Sequence, residues 1–161
     1  MSELTETADA LRSALAETPA AVTFAKIPPG RESGPGDGDL PENLRDLFAA
    51  TDGPRCGSIV IFSRAELDDN QYYCDDLDGG GQAWLCFGLV ADNPLFLKRA
   101  DGDVWWFPAG FEPWAGSQFV RLAESLDAFI THYLFGVGYA EVVADGEHDR
   151  WYTFRQAHRA G

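Results

Sequence analysis

Between Asp92 and Leu134 the apolar and polar positions sort into clear blocks. Pro94–Lys98 and Asp103–Phe107 are apolar runs of strand length on either side of Arg99-Ala100-Asp101-Gly102. Asp-Gly between such runs is a strong hairpin signal, because glycine supplies the backbone conformation a tight turn demands. Gln118–Leu122 reads as a further short strand. After Ala123-Glu124-Ser125, the residues Leu126, Phe129, Ile130, Tyr133 and Leu134 recur at helical spacing and share one helix face.

The same reading extends along the chain. Ser2 to Ala16 predicts a helix with Leu4, Ala8, Leu11 and Leu15 on one face, capped by Ser2 and stopped before Pro19. Ala21–Ala25 is a short strand, and Arg31 to Asp39 is a mobile loop rich in Gly and Pro. Leu40-Pro41-Glu42 opens a second helix whose buried stripe is Leu44, Leu47 and Phe48, ended by Thr51-Asp52-Gly53-Pro54. Gly57–Ser63 is a strand of β-branched and aromatic residues. Ser63-Arg64-Ala65-Glu66 has the form of a capping box, which starts a short helical turn. Asp68 to Gly81 is a polar, acidic loop. Gln82–Val90 is apolar on both faces and so belongs at the centre of a sheet. Ala140–Ala144 is a last short strand. Glu147 to Arg159 suits a final helix, yet its Trp-Tyr-Thr-Phe suits a strand equally well.

Strands cluster in the middle and helices at the ends. That order predicts an α+β fold: a single domain over residues 1–161, with a largely antiparallel central sheet of five to six strands and about four helices packed around it. At 161 residues the chain can bury a sizeable core without a metal or a disulfide.

Charge narrows the function classes. Twelve Lys and Arg stand against 26 Asp and Glu, a formal net charge of −14. Phosphate backbones and anionic membrane surfaces both require clustered cations, so neither nucleic acid nor membrane is an expected partner. Solubility alone accounts for such a charge. A basic protein partner, drawn in by the long-range field, is the functional alternative.

Cys56, Cys74 and Cys86 are odd in number and widely spaced, which fits reduced thiols. The first residues are acidic and amphipathic, without the apolar run of a signal peptide, and no stretch approaches the ~18 apolar residues of a membrane span. A cytoplasmic protein is therefore expected.

Candidate chemistry is sparse. Asp76-x-Asp78-x-Gly80 begins like a calcium loop, but the twelfth position, which needs a bidentate Glu, is Phe87. Asp145–Asp149 offers only His148 as a zinc ligand. No Gly-x-Ser-x-Gly elbow occurs, and Gly79-Gly80-Gly81 has neither phosphate-loop spacing nor a basic neighbour. Cys86 lies in the most apolar strand, where a thiol behaves as a buried hydrophobe, and Cys74 lies among aspartates that raise its pKa and blunt it as a nucleophile. These readings predict no catalytic residue, no metal and no cofactor.

What remains is acidic and aromatic surface: Asp68, Asp69, Asp75, Asp76 and Asp78, together with Trp105, Trp106 and Trp114. Trp105 and Trp106 are adjacent in a strand, so they point to opposite faces of the sheet. One belongs to a core, and the other is exposed unless that face is also covered. Aromatic residues in an acidic field have the composition of a protein-binding hot spot.

Three stretches together resemble the SUKH superfamily, which includes bacterial immunity proteins and relatives of a yeast cell-wall synthesis regulator. They are Leu40-Pro41-Glu42-Asn43-Leu44-Arg45-Asp46-Leu47-Phe48 with Thr51-Asp52-Gly53, the strand pair Leu95–Phe107 with Gly102-Asp103-Val104-Trp105, and Val120 to Ile130. The resemblance covers roughly residues 40 to 135, leaving an N-terminal helix, 2–16, and a C-terminal extension, 136–161. The loop between helix and hairpin is more acidic and Gly-rich than the family pattern. The resemblance implies an α+β domain without enzymatic activity, usually an immunity protein that binds a cognate toxin, often a nuclease or deaminase, and blocks it in the producing cell. It transfers no individual site residue, since immunity surfaces differ with each toxin. Two other readings stay open: an accessory or scaffold subunit of a biosynthetic or regulatory complex, and a metal-dependent enzyme built on the acidic loop.

Overall fold

The computed structural model describes residues 3–108 and 118–158. One antiparallel sheet of seven strands runs through it in sequence order: β1 (Ala25–Lys26), β2 (Arg55–Cys56), β3 (Ile59–Ile61), β4 (Trp84–Val90), β5 (Asn93–Lys98), β6 (Val104–Trp106) and β7 (Val120–Ala123). Seven α-helices accompany it among the described residues: α1 (Glu3–Ala16), α2 (Glu42–Ala50), α3 (Arg64–Leu67), α4 (Gly80–Ala83), α5 (Leu126–Phe129), α6 (Tyr139–Val142) and α7 (Arg150–Ala157). The α+β class stands, with a larger sheet and more helices than the pattern predicted. None of the helices is long and apolar enough to cross a membrane.

β4 is the fourth of seven strands and almost wholly buried, as its two-sided apolar run requires. Strand register sorts the side chains. Ala25, Cys56, Ile59, Ile61, Val90, Leu95, Leu97, Val104 and Trp106 share one face and are all buried. A helical layer covers that face. In it, Phe129 of α5 meets Phe87 edge-on at 5.7 Å, and Tyr139 of α6 takes the Ser58 N–H at 2.8 Å. Trp151 of α7 is fully buried and donates its indole N–H to Leu134 O at 2.8 Å. Lys26, Arg55, Val60, Leu89, Phe96, Lys98 and Trp105 lie on the other face. A register shift between Cys86 and Gly88 marks a bulge in β4.

Several expectations are corrected. Ala21–Ala25 is not a strand: Pro19–Thr23 forms a 3-10 turn, and only Ala25–Lys26 pairs. Pro19 sets the helical φ at the start of that turn. Gly57–Ser63 is not one strand: Gly57, at φ +60°, turns the chain between β2 and β3, and only Ile59–Ile61 of the run is strand. Arg31 to Asp39 is tied down. Asp37 is only 3% exposed and accepts the Arg64 Nε–H at 2.8 Å, the Gly34 N–H at 2.8 Å and the Arg31 Nη1–H at 3.0 Å. The Arg64 guanidinium, then the Gly34 amide, hold its carboxyl well below the usual carboxylate range.

Ala140–Ala144 is not a strand either, because Tyr139–Val142 is helical. The ambiguous Trp151–Phe154 segment is helix, capped by the Asp149 carboxylate at Trp151 N, 2.8 Å. The Ser63 capping box is present. The helix predicted from Leu126 starts at the Ser125 cap and widens into a π-turn over Ile130–Leu134.

Candidate functional site

The acidic stretch is ordered structure and not a loop. Asp68–Asp76 forms a 3-10 helix continuous with α3, and α4 follows it. Few of its residues are apolar and only Cys74 is buried, so helical periodicity does not hold it. Polar bonds to β4 do. Beyond the end of β3, no strand among the described residues lies beside the outer edge of β4 at Cys86, and the Gln71 side chain fills that place. Its Nε2 donates to Cys86 O at 2.7 Å, and its Oε1 accepts Cys86 N–H at 3.0 Å. One side-chain amide thus copies the donor and acceptor of a strand residue. The same Nε2 also reaches Leu67 O at 2.8 Å. At the far end, the Trp84 indole N–H donates to Asp78 O at 3.0 Å. Arg99 Nε fixes Gly81 O at 2.9 Å, holding α4 to the end of β5.

With its backbone pinned inward, the segment turns its acids outward. Asp68, Asp69, Asp75, Asp76 and Asp78 are all exposed. Among the described residues, Asp68 alone of these has an ion-pair partner, Arg64 Nη1 at 3.3 Å. Tyr72 is 59% exposed and stacks on Tyr73 at 4.4 Å, placing a large aromatic ring in the middle of the acids. Neighbouring Tyr72 and burial push the Tyr73 hydroxyl up to about 12. The sequence reading passed over Tyr72, although Tyr-Tyr inside a run of aspartates is a visible signal.

The candidate tryptophans separate. Trp106 is 7% exposed and belongs to the core, beside Val142 and Val143. Trp105 is half-buried on the opposite face, in an aromatic cluster with Trp84 at 6.0 Å and Phe119 at 5.3 Å. Phe96 joins Trp84 at 6.4 Å and Phe119 at 5.7 Å, and Phe107 stacks on Phe119 at 4.5 Å. Lys98 Nζ sits 5.8 Å above the Trp105 ring. Trp84 belongs both to this cluster and to the Asp78 bond, so the Asp78 end of the acidic segment and Trp105 lie on one face of the sheet. Trp114 lies outside the described residues.

Chemically, the arrangement presents charge and aromatic area to solvent. Among the described residues, no three His, Cys, Asp or Glu side chains converge to hold a metal ion. Cys56, Cys74 and Cys86 are buried free thiols. Burial is the main cause that raises the pKa of each. For Cys74 the sequence reading named the aspartates as that cause, yet Asp75 adds only a smaller push behind burial. No family model matches this chain, and no curated protein matches it.

Proposed function

We propose that this is a non-enzymatic protein-binding domain, with the Asp68–Asp78 segment and its neighbouring aromatic residues as the contact surface for a basic partner. One observation carries the reading: an acidic segment of low apolar content is clamped to the central strand by Gln71 and Trp84, with its carboxylates and Tyr72 held outward. A surface fixed before binding loses less conformational entropy when the partner arrives. Clustered carboxylates also speed encounter with a cationic patch and select against acidic partners.

Together with the resemblance to the SUKH superfamily, this favours an immunity protein that covers the basic nucleic-acid-binding surface of a toxin. The test is capture of partners from the native cell extract with the whole chain as bait, eluted in steps of salt, followed by affinity measurement on the partner recovered. Asp75→Asn, Asp76→Asn and Asp78→Asn together weaken binding about tenfold or more and flatten its salt dependence. An affinity that ignores the triple substitution overturns the proposed surface. A recovered nuclease or deaminase supports the immunity role, whereas a subunit of a biosynthetic complex overturns it in favour of a scaffold.

A further inference from the structure

Lys26 and Arg55 are direct partners across β1 and β2. Both are exposed, and their side chains leave the same face of the sheet side by side. Like charges in that position repel. The chain holds 26 acidic residues against 12 Lys and Arg, so a carboxylate partner is cheap to supply. Arg12, Arg31, Arg64, Lys98 and Arg121 each have one. Among the described residues, neither Lys26 nor Arg55 forms an ion pair.

The two cations line a cleft of about 410 Å³, a size that suits a small ligand. Asp52, Ser63 and Glu66 also line it. The two carboxylates are engaged in holding α3: Asp52 Oδ1 accepts Arg64 N–H at 2.8 Å, and Glu66 Oε1 accepts Ser63 N–H at 3.0 Å. A recess sharing Thr23, Phe24 and Gly57 adjoins the cleft and brings a third cation, Arg150, whose Nη1 donates to Thr23 Oγ1 at 3.3 Å, together with Asp149, whose carboxylate accepts from Tyr139 Oη and Trp151 N.

We propose that the Lys26–Arg55 cleft is an oxyanion-binding site for a small ligand carrying a phosphate or carboxylate group. Arg55 offers a planar fork of donors and Lys26 a compact point charge, the combination that holds such groups. A bound anion also removes the repulsion between the two side chains. The site is separate from the acidic contact surface and does not depend on it.

The test is titration of the full chain with inorganic phosphate, and separately with succinate, each against sodium chloride at matched ionic strength. Melting temperature and amide chemical shifts are the readouts. The expected result is a saturable rise in melting temperature with one or both anions, with shifts concentrated at Lys26, Gly53 and Arg55. A response to phosphate alone assigns a phosphate-bearing ligand, and a response to succinate alone a carboxylate. Lys26→Gln with Arg55→Gln weakens the binding at least about tenfold. This variant keeps its fold, because the substitutions are on exposed side chains and remove a repulsion. Arg121→Gln leaves the binding unchanged. No response beyond matched chloride, or an undiminished response in the double variant, overturns the proposal and leaves the pair as an edge-strand guard against sheet-to-sheet pairing.

Discussion

Single polar side chains hold the parts of this molecule that apolar packing does not reach. Gln71 is the clearest. Gln71→Ala leaves both the N–H and the C=O of Cys86 without their partner, at a cost of about 1–3 kcal/mol in denaturant unfolding. The same variant raises amide exchange across Asp68–Asp76 more than across β5, because the segment loses its clamp while the strand keeps its neighbours. Tyr139 works similarly: its hydroxyl accepts Ser58 N–H at 2.8 Å and donates to Asp149 Oδ2 at 2.9 Å. Tyr139→Phe therefore costs about 1–3 kcal/mol by the same measurement.

Asp37 adds a pH dependence. Its carboxyl is depressed in the folded state, so its stabilisation is fully present above the ordinary carboxylate range and is lost as pH falls below about 4. Asp37→Asn lowers stability at neutral pH and shrinks the loss seen on acidification. A variant that melts like the parent at every pH would remove Asp37 from this account.

At the scale of elements, the sequence revealed what periodicity can encode. The Asp-Gly hairpin, the buried β4 and the Leu126–Leu134 face all have enough residues to show a period of 2 or 3.6. β1 and β2 have two residues each and show none. Ala140–Ala144 was read as a strand, and the helical turn Tyr139–Val142, starting at Gly138, takes its place. The acidic segment read as loop because its order comes from Gln71 and Trp84, whose partners lie 15 and 6 residues away. Its five acids and Trp105 were visible as candidates. The link between them was not, because it runs through Trp84, which bonds Asp78 O and meets Trp105 across the register of β4 to β6. Local caps were legible, and they matter to the element they start. Ser125 Oγ accepts Ala128 N–H at 3.0 Å, so Ser125→Ala costs about 0.5–2 kcal/mol.

For the whole molecule, charge is a second determinant of stability alongside packing. A net −14 repels itself over distances that salt shortens, from a Debye length of about 30 Å at ~0.01 M to about 3 Å at ~1 M. Moderate sodium chloride therefore raises the melting temperature, and the gain is smaller in the triple Asp75, Asp76 and Asp78 variant. A melting temperature that falls as salt rises would mean that the ion pairs around Asp37 and Asp9 outweigh the repulsion.

The strictly sequential order of the strands also bears on how the chain is made. Each strand pairs with the one before it, so a chain emerging from the ribosome can add β2 through β7 in turn without waiting for a distant partner. The helical layer does not follow that rule. Trp151 must seat against Leu134, Phe154 against Phe24 at 6.0 Å, and Arg150 against Thr23, 127 residues earlier. Until α7 leaves the exit tunnel, the nascent sheet keeps part of its apolar face open to solvent. That interval is when a chaperone would find it.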